Sequence, residues 1–142
     1  RTTLVISAPR VSAPNARSDR TVSLLDIYPT LVELTGHASR DGLDGKSLVP
    51  LLKQPDAPWS RPVLSTYGHQ NHSVRNERWR YIRYHDGTEE LYDHNADPHE
   101  WTNLASGVVK SEHRNVMSQL SRHFPETNVL PVVITKSAKQ TD

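Results

Sequence analysis

The sequence predicts the end of an α/β unit followed by a small antiparallel sheet with a helix laid against it. Three observations carry that prediction. A short apolar run, Thr2–Ala8, precedes a helical stripe between Val22 and Gly36. Extended segments, one of them closed by Asp86-Gly87, fill the middle of the chain. An amphipathic stretch, Ser111–Phe124, then stops at Pro125. Elements with one apolar face must bury it against a neighbour, and layers of helix on sheet do so.

Thr2–Ala8 (TTLVISA) is nearly continuous in apolar residues and closed by Pro9, the pattern of a buried parallel-type strand. Pro9–Arg20 reads as loop. Apolar residues at 24, 27, 28, 31, 32 and 34 form a helical stripe. Pro29 belongs in a first turn, so the helix should start near Ile27 with Asp26 as N-cap and Gly36 as its stop. Asp41–Gly45 is a loop, and Ser47 caps a short helix that runs to Lys53. A connector with Pro55 and Pro58 leads into the extended half.

There, Pro62–Tyr67, His72–Asn76, Trp79–His85 and Thr88–His94 read as strands. A two-residue turn at Asp86-Gly87 predicts a register in which Tyr84 faces Glu89, Arg83 faces Glu90, Ile82 faces Leu91, Tyr81 faces Tyr92 and Arg80 faces Asp93. Arg75, Arg78, Arg80 and Arg83 are followed by a run of acids, which this pairing reads as register-setting contacts. Val116, Met117, Leu120 and Phe124 form the stripe of the last helix, and Leu130–Ile134 is expected as a short strand. The expected division is residues 1–60, the end of a larger α/β domain; 61–135, a small α+β subdomain; and 136–142, a polar tail.

Composition excludes several function classes. The chain has 142 residues, 35% of them hydrophobic, with a formal net charge of +1, so nothing points to nucleic acid or a membrane surface. No apolar run reaches the length of a membrane span. Cys is absent, which removes disulfides, thiolate catalysis and Cys-based zinc sites. Seven of the nine aromatic residues lie between Trp59 and Trp101, so the packing anchors are concentrated mid-chain. With no initiator Met and a strand-like run at once, the chain reads as a piece of something longer.

Catalytic motifs are not visible. There is no G-x-S-x-G, Walker loop or dinucleotide fingerprint. Asp41 and Asp44 flank Gly42 and Gly45 without further acids at calcium-loop spacing, which reads as a turn. The eight histidines (37, 69, 72, 85, 94, 99, 113 and 123) include no helical H-x-x-x-H with a nearby Glu. His69 and His72 stand in a loop or strand edge, either as polar loop residues or as pocket groups donating to an anion. Arg75, two strand steps on, could join them, because residues i and i+2 share a strand face. Asn71-His72-Ser73 is a formal glycosylation sequon.

Two longer segments are more specific. One is V-S-L-L-D-I-Y-P-T-L-V-E-L-T-G from Val22 to Gly36, followed by L-D-G-K-S-L-V-P-L-L from Leu43 to Leu52. The other is H-S-V-R-N-E-R-W-R-Y-I-R-Y from His72 to Tyr84, running into Glu89-Glu-Leu-Tyr-Asp93 and Asp97-Pro-His-Glu-Trp-Thr-Asn-Leu-Ala105. Together they resemble the C-terminal part of the formylglycine-dependent sulfatases, most of all the iduronate-2-sulfatase-like group. The Asp-x-x-Pro-Thr-Leu segment is shared across the wider alkaline-phosphatase-like superfamily, whereas the ending to Ala105 is particular to sulfatases.

The resemblance implies a fold, namely the last strand and helix of a large α/β domain plus a small antiparallel-sheet-and-helix subdomain. It implies sulfate ester hydrolysis by a formylglycine with a divalent cation, usually calcium, both upstream of this chain. Ser12-Ala-Pro-Asn-Ala-Arg17 looks like the modification motif but has its Arg one place too far. No catalytic residue and no metal ligand carry over, and the chain alone should be inactive. The implied partners are the N-terminal catalytic portion and a sulfated carbohydrate, with a periplasmic, secreted or lysosomal location. The loop leading into the Ser73-Val-Arg strand would approach the sulfated sugar, which makes His69, Asn71, His72 and Arg75 candidates for the pocket rim. For Arg75 an ion pair on the sheet face is the alternative. A stand-alone binding module for anionic sugars and a phosphoryl-transfer relative are the competing functions.

Overall fold

The computed structural model describes residues 2–130. Four strands, β1 (Val63–Thr66), β2 (His72–Arg75), β3 (Trp79–Arg83) and β4 (Glu89–Asp93), form an antiparallel meander in sequence order. Helix α1 (Ile27–Leu34) and the short α2 (Val49–Lys53) precede the sheet, and α3 (Arg114–Ser121) follows it. The strand expected at Leu130–Ile134 and the tail lie outside the described residues, apart from Leu130.

The core sits between the sheet and α3. Strand alternation sends Val74, Tyr81 and Leu91 to one face, where Met117, Leu120 and Phe124 cover them. These three strand residues are direct cross-strand partners, so the apolar row is continuous across three strands. Tyr81 stacks on Phe124 with ring centroids 5.3 Å apart. A second cluster, Leu48, Leu51 and Trp59, gathers Ile6, Val22 and Ala57 around it.

The hairpin register differs by one residue from the expected one. Arg83 pairs with Glu89, Ile82 with Glu90, Tyr81 with Leu91, Arg80 with Tyr92 and Trp79 with Asp93. Tyr84 N donates to the Thr88 carbonyl at 3.0 Å, so His85, Asp86 and Gly87 form a three-residue loop. Gly87 takes a φ of +82°, the left-handed position such a loop needs. A one-residue shift exchanges which side chains oppose, and burial of the Val74–Tyr81–Leu91 row selects this register.

Other expectations shift as well. Thr2–Ala8 forms no strand, because no neighbouring strand among the described residues supplies its ladder. Val5 is 83% exposed, while Ile6 packs on the second cluster. Asp26 does not cap α1 with its side chain. A 3₁₀ turn, Leu24–Asp26, runs directly into α1, so the capping role moves to Ser23. Ser23 Oγ accepts from Leu25 N at 3.2 Å, and Asp26 Oδ2 accepts from Ser23 N at 2.7 Å. Gly36 closes α1 at a φ of +72°. Ser47 Oγ accepts from Val49 N at 3.2 Å at the start of α2. α3 is shorter than Ser111–Phe124 because a separate 3₁₀ turn, Val108–Ser111, precedes it.

Candidate functional site at the sheet face and its loops

The polar residues of the two specific segments hold the fold. Asp26 is fully buried and accepts from Ser23 N, from Lys46 N at 2.8 Å and from the Arg61 guanidinium. Thr30 Oγ1 donates to the Asp26 carbonyl at 2.5 Å and accepts from Leu48 N at 2.8 Å. The Asp-x-x-Pro-Thr spacing thus pins the Asp44–Leu48 loop onto the start of α1. Gly45 is required there, since an added Cβ would lie 2.0 Å from the Leu25 carbonyl oxygen.

The second segment works the same way. Asp93 accepts from Arg78 Nη2 at 2.7 Å and from Asn95 N at 3.1 Å. The Arg78 hydrogen bond holds its carboxyl below the usual carboxylate range. Asp97 Oδ2 accepts from Thr102 N at 2.8 Å. Asn103 Oδ1 accepts from Leu91 N and Ala105 N, and its Nδ2 donates to the Glu89 carbonyl at 3.0 Å. Asn103 therefore stands in for a fifth strand along the free edge of β4.

Four candidate residues arose from the sequence. His69 is half-buried in the β1–β2 loop, and its carbonyl accepts from Asn71 Nδ2 at 3.0 Å. Asn71 Oδ1 accepts from His85 N at 3.2 Å, so the sequon amide is engaged at both ends. His72 is buried on the core face. It lies 3.0 Å from Thr66 Oγ1 and 2.7 Å from Asn128 Oδ1, and its ring is 5.6 Å from Phe124.

Arg75 lies on the opposite face. It is three residues from His72, an odd spacing, so the shared strand face expected for them does not form. His69, Asn71 and His72 stay together along the loop, and Asn71 and His72 border one open groove. Arg75 borders another cleft of about 950 Å³, together with Thr2–Ile6 and Glu77.

Arg75 belongs instead to a cluster that sequence reasoning did not assemble. Arg75 and Arg80 are direct cross-strand partners. Glu100 bridges them, with Oε2 at 2.6 Å from Arg80 Nη1 and Oε1 at 3.9 Å from Arg75 Nη1. His94 Nε2 lies 2.6 Å from Glu100 Oε1, and its buried Nδ1 has no hydrogen-bond partner among the described residues. Burial acts to raise the Glu100 pKa, but His94 and Arg80 outweigh it and hold the carboxyl below its ordinary range. Glu100 takes a φ of +61°, a strained backbone that positions its carboxylate over the sheet. The signal in the sequence was Glu100 itself, set in the Asp-Pro-His-Glu turn.

Among the described residues no three His, Cys, Asp or Glu converge to hold a metal ion. The sequence also holds no Cys- or Ser-x-Pro-Ser-Arg motif from which a formylglycine could form. These residues fit neither group. No helix of the described residues is long and apolar enough to cross a membrane.

The four-stranded meander backed by one helix is shared with solved sulfatases, which sets the class of protein. One of them, a 2-O GAG sulfatase, is 31% identical with a TM-score of 0.55 and aligns over 68% of this chain and 24% of its own. Among curated relatives, a sulfatase of Formosa agariphila is 38% identical over 110 residues, 78% of this chain and 21% of that protein. Arylsulfatase K of Canis lupus familiaris is 35% identical over 121 residues, covering 72% of this chain and 22% of its own. The chain belongs to the N-sulphoglucosamine sulphohydrolase C-terminal family, whose model matches residues 1–129. It spans about a fifth of the length of these curated relatives.

Proposed function

We propose that this chain is the C-terminal unit of a sulfatase that hydrolyses sulfate esters of a sulfated sugar or glycosaminoglycan. One observation carries the reading. The family match runs through residues 1–129, while the motif residues Asp26, Thr30, Asp93, Asp97 and Asn103 are each committed to holding the fold. A unit built this way supports a reacting site made elsewhere. The glycosaminoglycan class is supported by the 2-O GAG sulfatase that shares the fold at 31% identity.

In this reading the formylglycine and the calcium that stabilises charge on the sulfuryl group belong to the catalytic portion upstream. This chain contributes to the pocket rim through His69 and Asn71 of the β1–β2 loop and His72 at its end, while Arg75, on the other face, borders a separate cleft. The enzyme would work in the periplasm, outside the cell or in the lysosome, which cell fractionation would test.

The direct test uses an aryl sulfate and an aryl phosphate with calcium present. The full-length protein is expected to favour the sulfate, and the 142-residue chain alone to turn over neither. Turnover by the chain alone, or a preference for phosphate, would overturn the reading.

A further inference from the structure

An open groove of about 460 Å³ lies on the sheet face away from α3. Its shape follows from strand alternation. Ser65 pairs with Ser73, and Ser73 pairs with Ile82, so two small hydroxyl side chains lie side by side. Tyr67 stands two residues along from Ser65, and Tyr84 two along from Ile82, so both rise from the same face. The alternation persists to Tyr67 because its N–H donates to the Asn71 carbonyl at 3.0 Å. The result is a trough with serines in its floor and a tyrosine on each side.

Two features of this trough are not explained by packing. Tyr67 is 87% exposed, and among the described residues its side chain makes no hydrogen bond or ring contact. Arg80 is held at the trough, with Nε donating to Ser73 Oγ at 3.2 Å and Nη1 to Glu100. A guanidinium has five N–H donors, so this anchoring leaves others to meet a ligand. Clefts of roughly 300–1,000 Å³ with aromatic walls and a few fixed polar groups are the usual form of small-ligand sites.

We propose that this groove binds one pyranose ring of an anionic glycan. The apolar C–H face of the ring stacks on Tyr67, and its polar edge meets the Ser65 and Ser73 hydroxyls. Arg80 receives a carboxylate or sulfate oxygen of the sugar. Asn71 and His72 border the same groove, so the proposal rests on the sulfatase reading and extends its pocket rim into a glycan subsite.

The test compares the full-length enzyme with Tyr67→Ala and Tyr67→Trp, using heparin and chondroitin sulfate hexasaccharides and a small aryl sulfate. Tyr67→Ala should raise KM for the hexasaccharide that is cleaved by about 2- to 10-fold. It should leave kcat/KM for the aryl sulfate unchanged, and Tyr67→Trp should keep the hexasaccharide KM near that of the unsubstituted enzyme. An unchanged hexasaccharide KM in Tyr67→Ala would overturn the proposal while the sulfatase reading stands. If the enzyme cleaves no sulfate ester, the sulfatase reading fails, and calorimetric binding of the same hexasaccharides decides the groove. Binding that weakens in Tyr67→Ala would support it, and the absence of binding to either hexasaccharide would overturn it.

Discussion

Arg75 and Arg80 face each other directly across β2 and β3. Two like charges in opposed strand positions disfavour the sheet. Glu100 resolves the conflict by reaching back over that face from the loop after β4, at 2.6 Å from Arg80 and 3.9 Å from Arg75. The carboxylate therefore carries the pairing of β2 with β3 as well as the position of its own loop.

Removing that charge should expose the repulsion. Glu100→Gln keeps the shape and is expected to lower stability by about 1–3 kcal/mol. Part of the loss should be recovered in 1 M salt, where screening shortens to about 3 Å. Denaturant midpoints at low and high salt check this. A loss independent of salt would point to the strained backbone instead.

The glycine in the loop before α2 is a steric requirement. Gly45→Ala places a methyl 2.0 Å from the Leu25 carbonyl oxygen and displaces the loop that carries Lys46 N to Asp26. The expected cost is about 1–3 kcal/mol, read as a fall in thermal midpoint. Gly42→Ala lacks that clash and should lose less, since only its φ of +77° is strained.

Asn103 supplies two hydrogen bonds to the edge of β4 that a strand neighbour would otherwise make, and a third within its own loop to Ala105 N. Asn103→Ala leaves the Leu91 N–H without its acceptor and should cost about 1–3 kcal/mol. Hydrogen exchange should show the Leu91 amide losing protection first. Unchanged protection there would show that the edge of β4 is held by other means.

Asp93 couples stability to pH. Its pKa is depressed in the folded chain by Arg78, so its contribution is full above the unfolded carboxylate pKa of about 3.9. That contribution is lost as pH falls through the lower folded value. The stability gap between the unsubstituted protein and Asp93→Asn should hold steady from about pH 7 to 5 and narrow below about pH 4. Urea midpoints across that range check the sign. Arg78 is half exposed, which keeps the effect modest.

Leu91 is fully buried at the centre of the apolar row. Leu91→Ala should cost about 2–5 kcal/mol through lost contacts and a cavity beneath α3. A smaller loss would mean that Phe124 and Leu120 close over the space.

The sequence by itself determined the elements whose signals are local. Alternation and turn residues marked all four strands, periodicity with Gly36 marked α1, and the spacing of Asp26, Thr30, Asp93 and Asn103 marked the family. What required neighbours was decided only in three dimensions. The hairpin shifted by one residue because burial of Tyr81 beside Val74 and Leu91 outweighed the simplest reading of Asp86-Gly87. Thr2–Ala8 stayed unpaired because a strand is defined by a partner that no local pattern supplies. His72 and Arg75 parted to opposite faces by parity alone. The Arg75–Arg80–His94–Glu100 cluster joined residues up to 25 positions apart, a proximity that only the folded sheet and its following loop create.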